Sequence, residues 1–255
     1  MENHRHPADH QVPDVRPIEG HHHGFDLPDH RAMITQLRPA PRPAATPTPM
    51  ALPLPRVMLI TAGDAAGGDG ELTPIERAVA QGVGIVQVRE KQLADRPLLA
   101  LARRLRALTQ AAGALLLLNG RADLCLLANG DGVHLPAAGL PVAVVRRLLG
   151  PGRLIGRSCH TLAEVVAAAA EGADYATFGP LYPTPSKERF GDPPGPAALA
   201  AAVAATRLPL FALGGINPAH LAEVAATGCF GVAAIRALYA PGGAEGFAAW
   251  FPPAR

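Results

Sequence analysis

From Arg56 onward, short apolar runs alternate with amphipathic stretches. Eight of these runs have the length and the Val, Ile and Leu content of buried strands: Val57–Thr61, Gly84–Val88, Ala114–Leu118, Gly132–Leu135, Leu154–Gly156, Tyr175–Phe178, Pro209–Leu213 and Phe230–Ala234. Most lack a polar face, as expected of parallel strands covered on both sides. The stretches between them read as helices with sharp starts. Thr73-Pro74-Ile75-Glu76 and Thr161-Leu162-Ala163-Glu164 both have capping-box spacing, in which a threonine hydroxyl and a glutamate carboxylate satisfy exposed N–H groups reciprocally. Eight βα units in about 200 residues predict an α/β fold of the (β/α)8 TIM-barrel type, with chemistry at the C-terminal strand ends. An open doubly wound sheet is the alternative, disfavoured because no GxGxxG follows the first strand.

Residues 1–55 follow neither period. They hold His21-His22-His23 and a proline-studded run from Pro39 to Pro55, and they predict a disordered extension ahead of a barrel over residues 56–255. Histidines without fixed geometry suit a solvated tail better than a metal site. Met50 or Met58 offers an alternative start.

Composition narrows the partners. The chain has a net charge of only +2 with its basic residues scattered, and 4% aromatic content is too sparse for base-stacking surfaces, so nucleic acid is excluded as a partner. Cys125, Cys159 and Cys229 are odd in number and lack metal-ligand spacing, which fits a reducing cytoplasm. Apolar runs such as that from Ala111 to Leu118 are too short to span a bilayer, and no segment has the order of a signal peptide. The expectation is a cytoplasmic protein with a small-molecule ligand, no membrane partner, and a homo-oligomer left open.

The strand ends carry the candidate chemistry. Leu210-Phe211-Ala212-Leu213-Gly214-Gly215-Ile216-Asn217-Pro218 reads as a strand, a glycine pair and a helix start, with Asn217 as N-cap and Pro218 at the first helical position. Gly214 and Gly215 would let backbone N–H groups approach a phosphate, or serve turn geometry alone. After the second strand, alternation puts Gln87, Arg89 and Lys91 on one side, an amide and two cations suited to a phosphate or pyrophosphate. Asn119 could cap a helix or read a heterocycle edge, while Arg121 and Asp123 suggest structural pairing. His134 lies inside its strand and reads as a hydrogen-bonded core residue. His160 stands just before the capping residue Thr161, where a base-competent imidazole near a helix start suits general acid/base work. Ser158 points the same way and Cys159 the opposite way. The long stretch from Gly179 to Gly195 reads as a lid bringing Lys187 to an anion.

Together Gln87-Val88-Arg89-Glu90-Lys91, Asn119, Asp131-Gly132-Val133-His134-Leu135, Pro183-Thr184-Pro185-Ser186-Lys187 and Gly214-Gly215-Ile216 resemble the thiamine phosphate synthase superfamily over about Arg56 to Tyr239. The resemblance implies a barrel that handles thiamine's thiazole phosphate. In the synthase branch, that phosphate is coupled to hydroxymethylpyrimidine diphosphate with loss of pyrophosphate. By position, Gln87, Arg89, Lys91, Asn119 and Lys187 would hold the diphosphate and pyrimidine. Gly214, Gly215, Ala234 and Ile235 would hold the thiazole phosphate, with Ser158, Thr184 and Ser186 nearby.

Two departures weigh on the activity. The synthase pattern has aspartates, which carry Mg²⁺, where this chain has Gly120 and the Pro136-Ala137-Ala138-Gly139 stretch. The TenI-type thiazole tautomerases resemble the chain at these places and at Gly156-Arg157-Ser158-Cys159-His160. That branch needs no metal and aromatises a thiazole carboxylate phosphate with a histidine at the position of His160. The sequence therefore favours a metal-free, cofactor-free thiazole tautomerase with His160 as catalyst. The alternatives are a synthase, which would need Mg²⁺, and a non-catalytic or regulatory barrel that binds a thiamine precursor.

Overall fold

Apolar residues occupy both faces of most strands because the strands separate two apolar layers. The computed structural model describes residues 54–63, 72–184 and 193–252. Its strands are β1 (Val57–Ile60), β2 (Ile85–Val88), β3 (Leu115–Asn119), β4 (Gly132–Leu135), β5 (Leu154–Cys159), β6 (Tyr175–Phe178), β7 (Leu210–Leu213) and β8 (Gly231–Ala234). All pair in parallel and in sequence order, and β8 closes on β1 through Val57↔Val232, Met58↔Ala233 and Leu59↔Ala234. The fold is a (β/α)8 barrel. The expected extension over residues 1–55 lies outside the described residues, apart from Leu54 and Pro55.

Alternation along the strands sorts the side chains. Met58, Ile60, Ile85, Leu117, Leu154, Tyr175, Phe211 and Ala233 pack inside the barrel. Their neighbours Leu59, Val86, Leu116, Val133, Ile155, Ala176, Ala212 and Val232 join the layer between strands and helices. The interior is a filled core rather than a channel. Tyr175 fills its middle because β5 has no side chain there: a Cβ on Gly156 would come within 2.0 Å of the Tyr175 ring.

The helices are α1 (Thr73–Ala80), α2 (Asp95–Ala111), α3 (Ala122–Leu127), α4 (Val142–Leu149), α5 (Leu162–Ala170), α6 (Gly195–Ala205), α7 (Leu221–Ala226), α8 (Arg236–Tyr239) and α9 (Gly243–Trp250). The capping box of α5 forms as expected: the Thr161 hydroxyl accepts from the Glu164 N–H, and the Glu164 carboxylate accepts from the Thr161 N–H. That of α1 does not. The helix starts one residue earlier than the box requires, with Leu72 as N-cap, so Thr73 is already helical. β5 also differs from expectation, running on to Cys159 because Arg157 and Ser158 continue the ladder beside Ala176 and Thr177.

Candidate active site

At the C-terminal end of the barrel, polar side chains replace the apolar interior. Gln87 is almost wholly buried, and its Oε1 accepts a hydrogen bond from Asn119 Nδ2 at 3.0 Å. Asn119 is the last residue of β3, and α3 has Arg121 as its N-cap. Asn119 therefore faces the mouth instead of capping the helix. Across the mouth, buried His134 lies 3.0 Å from the Tyr175 hydroxyl through Nδ1 and 2.9 Å from Ser158 Oγ through Nε2. The Thr177 hydroxyl is 3.4 Å from the same Nε2. Burial pushes the His134 pKa down to about 3, helped by the nearby charges of Arg157 and Arg89, so the ring is neutral. This is the hydrogen-bonded core histidine expected from sequence.

The exit of β2 is anchored from β1. The buried Thr61 hydroxyl accepts from the Arg89 N–H at 2.8 Å. Glu90 turns away from the cations beside it: its buried carboxylate accepts from the Gly63 N–H and from Gln92 Nε2, tying down the loop after β1. Arg89 is half-buried and Lys91 exposed. Arg121 pairs with Asp123 and Asp95, the structural role expected of it. The Asp123 carboxyl is held below its usual range, chiefly by the Arg121 hydrogen bond.

His160 follows β5 on the exposed side of the mouth. Its Nδ1 donates to the Gly179 carbonyl at 2.5 Å. A carbonyl can only accept, so Nδ1 carries the proton and the neutral ring has its lone pair on Nε2. Cys159 points into the outer layer, where burial pushes its thiol up to about 12. A Cys–His pair is therefore absent at this position, as alternation indicated. All three cysteines are free and buried.

The glycine pair after β7 has a nearer cause than a ligand. Gly214 and Gly215 have φ of 99° and 68°, a region L side chains enter at a cost. A Cβ on Gly214 would meet Pro180 Cα at 2.5 Å, and one on Gly215 would meet Tyr182 Cβ at 2.7 Å. The tight approach that requires glycine is made by the segment following β6. Tyr182 is fixed over the pair by stacking on His220, with ring centroids 3.8 Å apart, and by donating to the Glu223 carboxylate at 2.7 Å. Neither Tyr182 nor His220 has a spacing signal in the sequence. Asn217 caps as expected, accepting from the Ala219 N–H, but the first turn is a 3-10 turn over Pro218–His220.

At the end of β8, Ala234 faces the outer layer and Ile235 packs against the inner core. Only their backbone could meet a phosphate. Thr184 is half-buried at the edge of the described segment. Ser186 and Lys187, and with them the middle of the expected lid, residues 185–192, lie outside the described residues.

The residues do not fit the Mg²⁺ site that the resemblance implies for a synthase. Among the described residues no group of three or more His, Cys, Asp or Glu could hold a metal ion. Gly120 and Gly139 stand where that pattern has carboxylates. The Pro136–Gly139 turn is instead fixed by Arg157, which donates to the Ala137 and Leu140 carbonyls.

A filled parallel barrel with amides, hydroxyls and cations gathered at the C-terminal strand ends has the architecture of a (β/α)8 enzyme. The family model described as thiamine monophosphate synthase matches residues 57–238, and the chain belongs to that family of thiamine-biosynthetic barrels. A Geobacter sulfurreducens protein named provisionally as a thiamine-phosphate synthase is 53% identical over 182 residues, covering 71% of this chain and 85% of its own. The Methanoculleus marisnigri thiamine-phosphate synthase is 47% identical, over 65% of this chain and 78% of its own. The solved thiamine phosphate pyrophosphorylase from Pyrococcus furiosus superposes with a TM-score of 0.69 at 28% identity, over 77% of this chain and 95% of that one. The first two carry the synthase name, and the third is named a pyrophosphorylase. The comparisons thus favour the synthase alternative over the tautomerase to which Gly120 and Gly139 pointed. No helix among the described residues is long and apolar enough to cross a membrane.

Proposed function

We propose that the chain is a thiamine phosphate synthase, joining thiazole phosphate to hydroxymethylpyrimidine diphosphate. The observation that carries this reading is the Gln87–Asn119 amide pair at the barrel mouth, with Arg89 two residues beyond Gln87 and its charge felt at His134. A proton shift on a single thiazole does not call for that group, whereas a pyrimidine diphosphate does. In the reaction the bond from the pyrimidine methylene to the diphosphate oxygen breaks, and pyrophosphate leaves with the electron pair. The thiazole nitrogen then forms the new C–N bond. Asn119 spends one N–H on Gln87, which orients its remaining N–H and its Oδ1 toward a heterocycle edge. Arg89 and Lys91 supply positive charge where the leaving group develops negative charge. Names of relatives at 41–53% identity support the same activity.

His160 favours a second reading, the thiazole tautomerase. Its Nε2 lone pair at the exposed mouth suits proton transfer, and Gly120 and Gly139 remove the carboxylates that a metal-dependent synthase uses. One experiment separates the two. The purified chain is incubated with thiazole phosphate and the pyrimidine diphosphate, and separately with the unaromatised thiazole carboxylate phosphate, each with and without Mg²⁺, and products are identified by mass spectrometry. Release of thiamine phosphate and pyrophosphate supports the synthase. Aromatisation without coupling would replace it with the tautomerase.

A further inference from the structure

We propose that Tyr175 and His134 are positioning residues that fix the Ser158 hydroxyl as a hydrogen-bond donor into the barrel mouth, biasing that wall toward an anionic phosphate oxygen. The inference rests on reading the mouth as a phosphate site.

The reasoning is a count of protons. Tyr175 is fully buried, enclosed by Phe211 at 5.5 Å in an edge-on contact, by the His134 ring and by the space above Gly156. Among the described residues its hydroxyl has one hydrogen-bond partner, His134 Nδ1. Neutral His134 has one N–H and one lone pair to divide between Tyr175 on one side and Ser158 with Thr177 on the other. If Nδ1 carried the proton, the phenol O–H would be buried with no acceptor. If Tyr175 donates to Nδ1, every buried proton is used. A buried donor without a partner is the costlier defect, enough to favour the second arrangement by roughly tenfold or more.

That arrangement places the His134 proton on Nε2, pointing at Ser158 Oγ 2.9 Å away. Ser158 then accepts from His134, and its own proton turns outward. Ser158 is half-buried at the mouth end of β5, so this proton meets solvent or a ligand. A hydroxyl left to itself can donate or accept. One that donates to a ring lone pair has no proton left. One that accepts from a fixed imidazole N–H keeps its proton free for a fully ionised phosphate oxygen, which can only accept. The dry Tyr–His pair thus keeps the Ser158 proton available to the mouth. Tyr175 lies one layer below the mouth and acts only through His134.

The test starts with the full chain, free of ligand. Long-range proton–nitrogen NMR on histidine-labelled protein reads the His134 tautomer, its signal assigned by its loss in His134→Gln. The proton is expected on Nε2; a proton on Nδ1 overturns the proposal. Inorganic pyrophosphate binding is then measured by calorimetry. Ser158→Ala is expected to weaken it by about 5–10-fold, Tyr175→Phe by a smaller factor, and the double variant no more than Ser158→Ala alone. Tyr175→Phe should lower the Nε2-protonated share, since the Nδ1 lone pair loses its donor, without moving the proton wholesale, because an Nδ1–H would then face no acceptor. Additive losses, or a Tyr175→Phe variant with an unchanged tautomer ratio, overturn the proposal. Ser158→Thr, which keeps the donor, should retain most of the affinity. The tautomer and the pyrophosphate affinities need no turnover, so failure of the coupling reaction would leave them standing.

Discussion

Asn119 Nδ2 donates to Gln87 Oε1 at 3.0 Å, joining the ends of β2 and β3 across the barrel mouth. Gln87 is 1% exposed, so its carbonyl oxygen depends on that donor. Removing Asn119 leaves a buried acceptor under-satisfied, at a cost of about 1–3 kcal/mol. For Asn119→Ala we predict a Tm lower by several degrees, since each kcal/mol moves Tm by about 2–4 °C in a barrel of this size. The KM for the pyrimidine substrate should rise at least tenfold. Steady-state kinetics and calorimetry check both. An unchanged KM would mean the pair is only a barrel clasp.

A second prediction concerns acid. His134 is held neutral, its pKa pushed down to about 3 from 6.5, mainly by burial. The unfolded chain takes up this proton near pH 6.5, whereas the folded chain does not until about pH 3. Its contribution is therefore intact above pH 6.5 and lost as pH falls toward 3, with a slope of up to about 1.4 kcal/mol per pH unit. His134→Gln should be less stable at pH 7 yet lose less on acidification. Urea titrations of both proteins from pH 7 to pH 4 measure the difference. Parallel curves would show that His134 takes up its proton in the folded state.

How much of this was legible beforehand follows from the range of each cause. The barrel was legible because strands buried on both faces write unbroken apolar runs, and the glycine or capping signals between them are local. The end of β5 was not, since Arg157 and Ser158 interrupt the run while still pairing with β6. Gln87 and Arg89 were placed by period-two alternation alone. The glycine pair was found, but its reason was not. Pro180 and Tyr182 pack on it from more than thirty residues away, and no local pattern announces that contact. The Thr73 box failed for a similar reason, because spacing fixes the possibility of a cap but not the residue at which the helix begins.

That packing makes a third prediction. Gly215→Ala forces a side chain into a left-handed conformation, which costs about 1–2 kcal/mol, and drives it against Tyr182. Tm should drop by about 4 °C or more. Thiazole phosphate affinity should fall as the Tyr182 segment is displaced. Tyr182→Ala in the same background should recover part of the stability by opening that space. If it recovers none, the conformational strain alone accounts for the loss.

The last prediction tests whether a metal site can be restored. The two glycines at the expected carboxylate positions are not equivalent. Gly120 has φ of 70°, but the space for its Cβ is open, with Pro136 Cδ 3.7 Å away. Aspartate is among the residues that tolerate this region best, so Gly120→Asp should fold with a modest loss. A Cβ on Gly139 would lie 2.9 Å from the Pro136 carbonyl oxygen, in a turn that Arg157 holds in place. Gly139→Asp should therefore lower Tm more than Gly120→Asp does. Calorimetry on Gly120→Asp should detect Mg²⁺ binding that strengthens with pyrophosphate present, because a lone carboxylate needs phosphate oxygens to complete the shell. If coupling by the natural chain is abolished by EDTA and Gly120→Asp adds nothing, the metal is held by the substrate's phosphates and by groups other than positions 120 and 139. If EDTA leaves coupling intact and Gly120→Asp makes it metal-responsive, the natural chain runs the reaction on its cations alone.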